Sequence, residues 1–424
     1  MCGLTGFCDF TGLAQDAENV CKNMASTLVH RGPDDSDIWL DHDAGVALGH
    51  RRLSIQDLSV HGHQPMLSGS GRYIIAFNGE IYNFLALKKE LEKSRHVFRG
   101  HSDTEVLLAA FETWGVNHTL ERCTGMFAFA LWDRNDRILI LARDRMGEKP
   151  LYYGWQGKTF LFSSELKAMR VHPEWKGDID RNALTLYMRN NYIPAPWSIH
   201  VGIHKLLPGS VVRVPTTTRI NELPSPIHYW DIRQISEQGE SNPLQISDDE
   251  AVSELNQLLR KSIRQQMIAD VPLGAFLSGG YDSSAVAALM QAESNRQIKT
   301  FSIGFHEEAF NEAQHAKKVA SHLGTEHTEL YVSPEQAMDV IPRLPQLSDE
   351  PFADSSQIPT FLVSEMTQQH VTVSLSGDGG DELFAGYERY PVTNAIWQKV
   401  ASTPYPLRNL AGKIIKSISP ELLN

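Results

Sequence analysis

Cysteine is scarce in this chain, and its placement excludes two kinds of protein. Four cysteines occur among 424 residues, at positions 2, 8, 21 and 123, and they form neither a C-x-x-C pair nor a metal-ligand spacing with histidine. The sequence therefore lacks both the framework of a small disulfide-stapled secreted protein and a zinc-ribbon pattern. We expect a reducing, cytoplasmic compartment.

Long hydrophobic runs and an excess of basic charge are also missing. No apolar stretch approaches the ~20 residues that a membrane-spanning helix needs, and the N-terminus lacks the basic and then apolar pattern of a secretory signal. Lys and Arg number 39 against 51 Asp and Glu, which gives a net charge of −12. An acidic chain is a poor candidate for binding nucleic acid or anionic membranes, so we expect small molecules or proteins as partners.

The chain does have an ordinary globular composition, with 42% hydrophobic and 21% charged residues. Its length predicts two or three domains. Over residues 2–215, short apolar strands separated by turns predict a layered α+β domain. Residues 216–248 are polar and turn-rich, and we interpret them as a linker. Over residues 249–424, helices and strands alternate as in an α/β domain with a doubly wound parallel sheet.

Cys2 is the most unusually placed residue. If Met1 is removed, which the small side chain of Cys2 permits, a thiol and a free α-amine belong to the same residue. Because an α-amine titrates at about 7.7–8.0 in model compounds, part of it can act as a base at neutral pH. This combination is the arrangement of an N-terminal nucleophile. Position alone favours the alternative, a disordered terminus that happens to contain a cysteine.

Three downstream segments carry groups suited to a small polar ligand. Arg52–Ile55 (RLSI) places a cation beside apolar residues, and Phe77–Glu80 (FNGE) is predicted to end a strand in a turn. Asp103 is predicted to cap a helix that follows the capping-box pattern Ser102–Glu105. Together they offer a cation for an α-carboxylate, a carboxylate for an α-amine and an oxyanion donor. Taken singly, each is equally interpretable as an ordinary turn or cap.

Seven motifs follow one another in the first half of the chain: MCGLTGF, RGPD, RLSI, NGEIYN, SDTEV, RDRMGEKPLYY and FSSELKA. Over residues 2–205 they resemble the class II glutamine amidotransferases, whose glutaminase domain is an α/β/β/α sandwich with an N-terminal cysteine nucleophile. The resemblance implies that Cys2 is the nucleophile and that Asn78 and Gly79 form the oxyanion hole. The residues implied to bind glutamine are Arg52, Leu53, Ile55, Asn78, Gly79, Glu80 and Asp103.

The segment Ser278–Ser284 (SGGYDSS) lies between an apolar strand and an apolar helix. Glycines allow close backbone approach, hydroxyls donate hydrogen bonds, and a helix N-terminus offers free N–H groups, which together suit a phosphate. No G-K-[ST] follows, so this is not a Walker A loop. We predict a phosphate-binding loop in which Asp282 can hold Mg²⁺; the alternative is a plain glycine-rich turn.

A second acidic turn, Ser376–Glu382 (SGDGGDE), follows the strand VTVSL. Ligands of open α/β sheets bind at the carboxyl ends of the strands. Asp282 and Asp381 are therefore predicted to approach each other and to share a metal ion. The alternative is two separate, solvated turns.

The loop Ser278–Ser284 resembles the pyrophosphate loop of the ATP pyrophosphatases. With LSDEPFADSSQIPT and SGDGGDELFAGYERY, the order of the modules resembles the glutamine-hydrolysing asparagine synthetases. The resemblance implies that ammonia released at Cys2 crosses a channel and attacks β-aspartyl-AMP made from aspartate and ATP. It also implies Asp378 as the acidic residue that serves adenylate formation, with ATP and Mg²⁺ as cofactors. The residues expected to contact ATP are Leu277, Ser278, Gly279, Gly280, Asp282, Ser283, Ser284, Ile303, Ser376 and Gly377.

Alternatives to this interpretation remain open. The amidated group can be another carboxylate, such as a uronic acid in surface polysaccharide synthesis. A β-lactam synthetase-like enzyme shares both domains, although Cys2 argues against it. The chain stops at Asn424, whereas the family continues through further helices with a phosphate-contacting lysine, so a C-terminally truncated glutaminase or regulatory binding protein is a third alternative. A homodimer is compatible with the sequence, which does not determine the oligomeric state.

Overall fold

The computed structural model of the protein describes residues 1–306 and 311–417. Antiparallel strands and short helices make up its N-terminal part. The strands are β1 (Gly3–Cys8), β2 (Asp35–Asp41), β3 (Val46–Arg52), β4 (Met66–Leu67), β5 (Tyr73–Ile81), β6 (Gly125–Asp133), β7 (Ile138–Arg143), β8 (Tyr152–Gln156), β9 (Thr159–Ser163), β10 (Ile203–Lys205), β11 (Ser210–Pro215) and β12 (Ile227–His228). The helices are α1 (Ala17–Ser26), α2 (Phe84–Lys93), α3 (Asp103–Trp114), α4 (Val116–Arg122), α5 (Leu166–Arg170) and α6 (Arg181–Asn190), with a 3₁₀ turn at Val60–Gly62.

Within the described residues these strands form two six-stranded sheets, in the orders β10-β8-β9-β1-β3-β2 and β12-β11-β7-β6-β5-β4. The first strand of the chain is central in its sheet. In β1, Gly3 lies opposite Arg51 of β3, and Thr5 lies opposite Ser163 of β9. Cys2 therefore directly precedes a strand that is held on both sides.

Alternating side chains along the strands build three apolar layers. In β5, Ile74 and Ala76 pack between the two sheets, whereas Ile75 and Phe77 pack against the helices. Helices α2, α3 and α4 cover the outer face of one sheet, and α1, α5 and α6 cover that of the other. The predicted α/β/β/α sandwich is confirmed.

The prediction that Phe77–Glu80 ends a strand in a turn is wrong. Strand β5 continues to Ile81 and pairs with β6, so that Asn78 lies opposite Ala128 and Gly79 opposite Phe127. A Cβ at position 79 would lie 2.6 Å from the α-carbon of Phe127. The glycine thus permits a close approach of two strands, and the partner strand keeps the backbone extended.

The prediction that Asp103 caps a helix is also wrong, by one residue. Ser102 is the N-cap of α3, and its Oγ accepts a 3.2 Å hydrogen bond from the N–H of Glu105. Asp103 is the first helical residue, and its Oδ2 accepts a 2.8 Å bond from the N–H of Ile81. The Glu105 carboxylate accepts the N–H of Arg99 instead of closing the capping box.

The C-terminal part alternates between helices and strands. Its elements are α7 (Ile232–Ser241), α8 (Asp248–Gln266), β13 (Leu273–Phe276), α9 (Tyr281–Glu293), β14 (Lys299–Phe305), α10 (Ala313–Leu323), β15 (Glu326–Val332), α11 (Pro334–Val340), a 3₁₀ turn (Ile341–Arg343), α12 (Leu344–Leu347), α13 (Gln357–Thr367), β16 (Val373–Leu375), α14 (Gly380–Phe384), α15 (Arg389–Ala401) and α16 (Tyr405–Ser417). No helix among the described residues is both long enough and apolar enough to cross a membrane.

The C-terminal strands form a parallel sheet in the order β15-β14-β13-β16. Helices α8, α9 and α10 pack on one face and α13 on the other, which confirms the doubly wound architecture. Strand order reverses at β13, because the chain moves from β13 to β15 in one direction and returns to β16 on the other side. Open α/β sheets bind ligands at this kind of switch point.

The interval 216–248 contains more structure than a linker would need. Strand β12 pairs with β11 in the second sheet. The hydroxyl of Tyr229 donates a 2.8 Å hydrogen bond to the carbonyl oxygen of Arg143, and helix α7 follows. The domain limits at 215 and 249 stay predictions.

Candidate functional site

The thiol of Cys2 lies against the backbone of Leu53. Its Sγ is 3.4 Å from the Leu53 nitrogen, whose N–H donates to it, and 3.6 Å from the Leu53 carbonyl oxygen. The carbonyl oxygen of Cys2 accepts a 2.8 Å bond from Nε of Arg31. Burial raises the pKa of the thiol, and the hydrogen bond from Leu53 opposes this rise only in part. Forming a thiolate here therefore requires a base.

A base is available at the start of the chain. The α-amino group of Met1 directly precedes Cys2; burial, together with the cations of Arg31 and Lys149, lowers its pKa from 8.0 to about 6, although Cys2 opposes this shift. An amine in these surroundings is neutral at pH 7. It can accept a proton.

A small cavity of about 20 Å³ opens beside Cys2. It brings together nearly all of the residues expected to bind glutamine. Those that line it are Cys2, Arg52, Leu53, Ile55, Gly79, Glu80 and Asp103. Residues that sequence reasoning missed also line it: Gln56, Gly62, Gln64, Phe77, Ser102 and Thr104.

Asn78 does not line the cavity but is fully buried next to residues that do. Neither its Oδ1 nor its Nδ2 has a hydrogen-bond partner among the described residues. Buried amides normally have partners, because leaving one unpaired costs about 1–3 kcal/mol. Asn78 lies between Phe77 and Gly79, which line the cavity together with Cys2. An unpaired amide donor in this position suits an oxyanion hole.

The guanidinium of Arg52 is held by a ring of backbone carbonyls. Nη1 donates a 3.3 Å hydrogen bond to the carbonyl oxygen of Ser59. Nη2 donates hydrogen bonds to the carbonyl oxygens of Gln56, at 3.2 Å, and Asp57. Nε–H and one Nη1–H have no partner among residues 1–306 and 311–417. These donors fit a ligand carboxylate, since guanidinium pairs with carboxylates through two parallel bonds.

Glu80 and Asp103 place two carboxylates in the same buried cavity. Burial raises the pKa of Asp103 to about 6, although bonds from the Ile81 and Thr104 backbone oppose it. Burial, and next the charge of Asp103, raise the pKa of Glu80 well above its ordinary value. Gln56 Nε2 donates 2.6 Å to Glu80. A cation placed between two carboxylates in an enclosed site stabilises both negative charges, which otherwise repel each other.

A second cavity, of about 600 Å³, lies at the carboxyl ends of β13, β14 and β16. Most of the residues expected to contact ATP line it. These are Leu277, Ser278, Gly280, Asp282, Ser283, Ile303, Ser376 and Gly377, together with the predicted Asp378 and Asp381. Gly279 and Ser284 do not line it.

The two exceptions face away for local reasons. Gly279 has a φ of +85°, and a Cβ there would lie 2.8 Å from Cβ of His315, so this residue packs towards α10. The N–H of Ser284 donates 3.1 Å to Gly280 O inside the first turn of α9. Both residues shape the loop without facing the cavity.

Hydroxyl groups order the loop between β13 and α9. Ser283 Oγ lies 2.8 Å from Ser278 Oγ and accepts a 3.1 Å bond from the Ser278 N–H. The N–H of Gly280 donates 3.3 Å to Ser278 Oγ. Helix α9 has no side-chain cap at Gly280, so its N-terminal N–H groups stay free for an anion.

The loops that follow β13 and β16 are in contact. A Cβ at Gly377 would lie 2.7 Å from the Ser283 nitrogen and 3.1 Å from Asp282 Cβ. Ser376 Oγ donates 3.0 Å to Asp378 Oδ2. In the described part of the chain, no three His, Cys, Asp or Glu side chains form a ready metal cluster.

Family comparisons match both parts of the chain. Residues 1–230 match the glutamine amidotransferase domain, and residues 254–423 match asparagine synthase. The chain belongs to the glutamine-hydrolysing asparagine synthetase family. Two family-specific parts, with a separate cavity in each, thus occur in the order that the sequence motifs predicted.

Relatives in this family are longer than the chain. Glutamine-hydrolysing asparagine synthetase 1 of Bacillus subtilis is 38% identical over 95% of this chain, which spans 62% of that protein. A Methanocaldococcus jannaschii protein named "putative asparagine synthetase [glutamine-hydrolyzing] 2" is 36% identical over 91% of this chain, which spans 76% of that protein. Among solved structures, a glutamine phosphoribosylpyrophosphate amidotransferase from B. subtilis aligns with a TM-score of 0.41 at 17% identity, over 80% of this chain and 70% of that one.

Several residues that line the larger cavity were not predicted from the sequence. They are Phe276, Tyr281, Phe301, Ser302, Glu312, Pro359, Thr360, Val363 and Gly386. Ser302 adjoins Ile303 on a strand that ends at the same sheet edge, and Thr360 belongs to the quoted motif LSDEPFADSSQIPT. Both thus had a detectable signal in the sequence, as did Tyr281, Pro359 and Gly386, which lie inside the quoted motifs. Glu312 had none.

Proposed function

We propose that this chain provides the two active sites of a glutamine-dependent asparagine synthetase. It hydrolyses glutamine at Cys2 and uses the ammonia to amidate aspartate activated as β-aspartyl-AMP. One observation carries the proposal. A buried thiol beside an arginine and two carboxylates shares a chain with a second cavity, which has a hydroxyl-rich loop at a helix N-terminus and an acidic turn.

In the glutaminase site, Cys2 acts after removal of Met1. The α-amine that Cys2 gains belongs to the same residue as the thiol, and it takes the proton of the thiol. The thiolate attacks the side-chain amide carbon of glutamine, and Asn78 and Gly79 donate to the oxyanion. Ammonia leaves, and water then releases glutamate from the thioester.

Glutamine is oriented by charge at both of its α-substituents. The free N–H groups of Arg52 take the α-carboxylate. Asp103 and Glu80 take the α-ammonium group, which relieves the repulsion between them. Leu53 and Ile55 border the rest of the substrate. Because a hydrogen bond to a charged group contributes about 1.5–3 kcal/mol, these contacts select an α-amino acid amide over a simple amide.

In the synthetase site, the loop Ser278–Ser284 holds the phosphates of ATP at the N-terminus of α9. The β-carboxylate of aspartate attacks the α-phosphorus, pyrophosphate leaves, and ammonia then attacks the acyl carbon and releases AMP. Asp378 serves adenylate formation. Ser376, Gly377 and Ile303 contact the nucleotide.

The residues present fit Mg²⁺ as a partner of ATP. This ion takes oxygen ligands and binds through one or two protein carboxylates plus phosphate oxygens. Asp282 and Asp381 line one cavity and supply that donor set. When bound, the ion neutralises charge on the phosphates.

The proposal is tested in two assays on the purified chain. The first measures glutamate release from glutamine. The second measures pyrophosphate release from ATP with ammonia, comparing aspartate with a panel of other carboxylates that includes a uronic acid. Pyrophosphate release with aspartate, and with no other carboxylate of the panel, supports the proposal. Release with a different carboxylate favours the alternative acceptor, and glutamate release without any pyrophosphate release identifies a glutaminase lacking synthetase turnover.

A further inference from the structure

Asp270 lies three residues before β13, in the C-terminal part, yet its hydrogen bonds end on the glutaminase domain. Its N–H donates 2.9 Å to Ile55 O. Its Oδ2 accepts 2.8 Å from the N–H of Asp57 and lies 2.9 Å from Nε2 of His101. Two of these contacts join Asp270 to the loop 55–59, and the third joins it to His101.

The loop 55–59 is the segment that holds the guanidinium of Arg52. The carbonyls of residues 56, 57 and 59 accept all of the hydrogen bonds described for that group. Asp57 is fully buried in a left-handed conformation with φ +55°. Its carboxylate accepts the N–H groups of Ser59 at 3.1 Å and His101 at 2.8 Å.

The loop is therefore held from two sides. The glutaminase domain holds the Asp57 side chain, and Arg52 binds the carbonyls of residues 56 and 57. Asp270 binds the backbone on either side of Gln56, through Ile55 O and Asp57 N. A tight, left-handed backbone needs surrounding contacts to persist. Removing the Asp270 carboxylate leaves the bond to Ile55 O but releases the N–H of Asp57. The peptide that joins residues 56 and 57 can then rotate, and the guanidinium moves with the Gln56 carbonyl.

We propose that Asp270 is a positioning residue for glutamine recognition, acting from the synthetase domain through the loop 55–59 on Arg52. Asp270 does not line the cavity around Cys2. It therefore sets the affinity for the α-carboxylate and leaves the chemistry at the thiol unchanged. The inference rests on the proposed binding of glutamine in that cavity.

The test compares Asp270→Ala and Asp270→Asn with the unaltered chain in glutaminase kinetics. Losing the charged contact should raise the KM for glutamine about ten-fold and change kcat less than about two-fold. Asp270→Asn keeps an oxygen that can accept the Asp57 N–H, so its KM should lie between the two. If Asp270→Ala does not fold by circular dichroism, Asp270→Asn carries the test.

A second substrate separates positioning from general damage. In glutamine α-amide the α-carboxylate is replaced by an amide, so Arg52 has no anion to bind. Asp270→Ala should lower kcat/KM for glutamine about ten-fold and for the α-amide less than about two-fold. Equal losses for both substrates, or a KM for glutamine within two-fold of the unaltered value, would overturn the proposal.

Asp349→Ala is the matched control for contact between the domains. Asp349 Oδ2 accepts a 2.9 Å bond from the N–H of Lys167, remote in sequence from the loop 55–59. This variant should retain the KM for glutamine. Failure of the proposed function has a different outcome: the unaltered chain would release no glutamate, or Cys2→Ala would release it at the original rate.

Discussion

Gly62 leaves the space that the guanidinium of Arg52 occupies. A Cβ at position 62 would overlap Nη2 of Arg52 and would lie 2.5 Å from its Cζ and 2.7 Å from Asp57 O. Since Nη1 and Nη2 donate to the carbonyls of residues 56, 57 and 59, the guanidinium cannot move away without losing hydrogen bonds. The absence of a side chain at one residue thus sets the position of a charge at another.

Gly62→Ala should therefore weaken glutamine binding. Displacing Arg52 from its carbonyl ring should raise the KM for glutamine about ten-fold, while kcat stays within about two-fold. Gly239→Ala is the control, because a Cβ there meets no atom within 4 Å. Steady-state glutaminase kinetics measure both variants. An unchanged KM in Gly62→Ala would contradict the coupling between Gly62 and the position of Arg52.

Cys2→Ala should abolish glutamine hydrolysis, because no other cysteine reaches the cavity. Any synthesis driven by free ammonia should remain. Cys123→Ala is the control, since that thiol is buried in the apolar layer beneath α3 and should be dispensable for chemistry. Mass spectrometry of the intact chain should show that Met1 is absent. Glutamate release by Cys2→Ala at the original rate would refute the assignment.

Glutamine affinity should decrease in acid because of Asp103, whose pKa is raised to about 6. As the pH falls through that value, the carboxylate gains a proton and loses its attraction for the α-ammonium group. The KM should therefore rise as the pH falls through about 6. Asp103→Asn should have a KM about ten-fold above that of the unaltered chain at pH 7–8, and its KM should not rise further in acid. If the KM of Asp103→Asn still rises in acid, the titrating group is not Asp103.

ATP binding should depend on Mg²⁺ and on both aspartates of the larger cavity. Without the ion, Asp282 and Asp381 repel the phosphates. Asp282→Asn and Asp381→Asn should each weaken binding of ATP with Mg²⁺ roughly ten-fold in calorimetry. Asp378→Ala should spare binding and reduce pyrophosphate release with aspartate. Asp248→Asn, at the exposed start of α8, is the control; metal-independent binding that neither variant changes would contradict the shared-metal model.

Much of the architecture was predictable from neighbours along the chain. The continuous apolar run Ile74–Phe77 predicts a strand that is buried on both faces, and the structure assigns those faces to two different layers. The pattern strand–SGGYDSS–helix predicted a loop at a sheet edge, and β13, the loop and α9 have that arrangement. These features follow from local periodicity and helix-end chemistry, which depend on residues a few positions apart.

Tertiary pairing decided what local pattern could not. Asn78 and Gly79 stay in a strand because β6 runs beside them, and Asp103 turns to Ile81 because α3 packs on that strand. Neither partner is visible from the sequence around these residues. The sequence by itself determined which residue types carry the chemistry and the order of the two domains. Only the folded chain decided which groups meet, as when Asp270 bonds Asp57 across 213 positions, because such contacts depend on packing between distant segments.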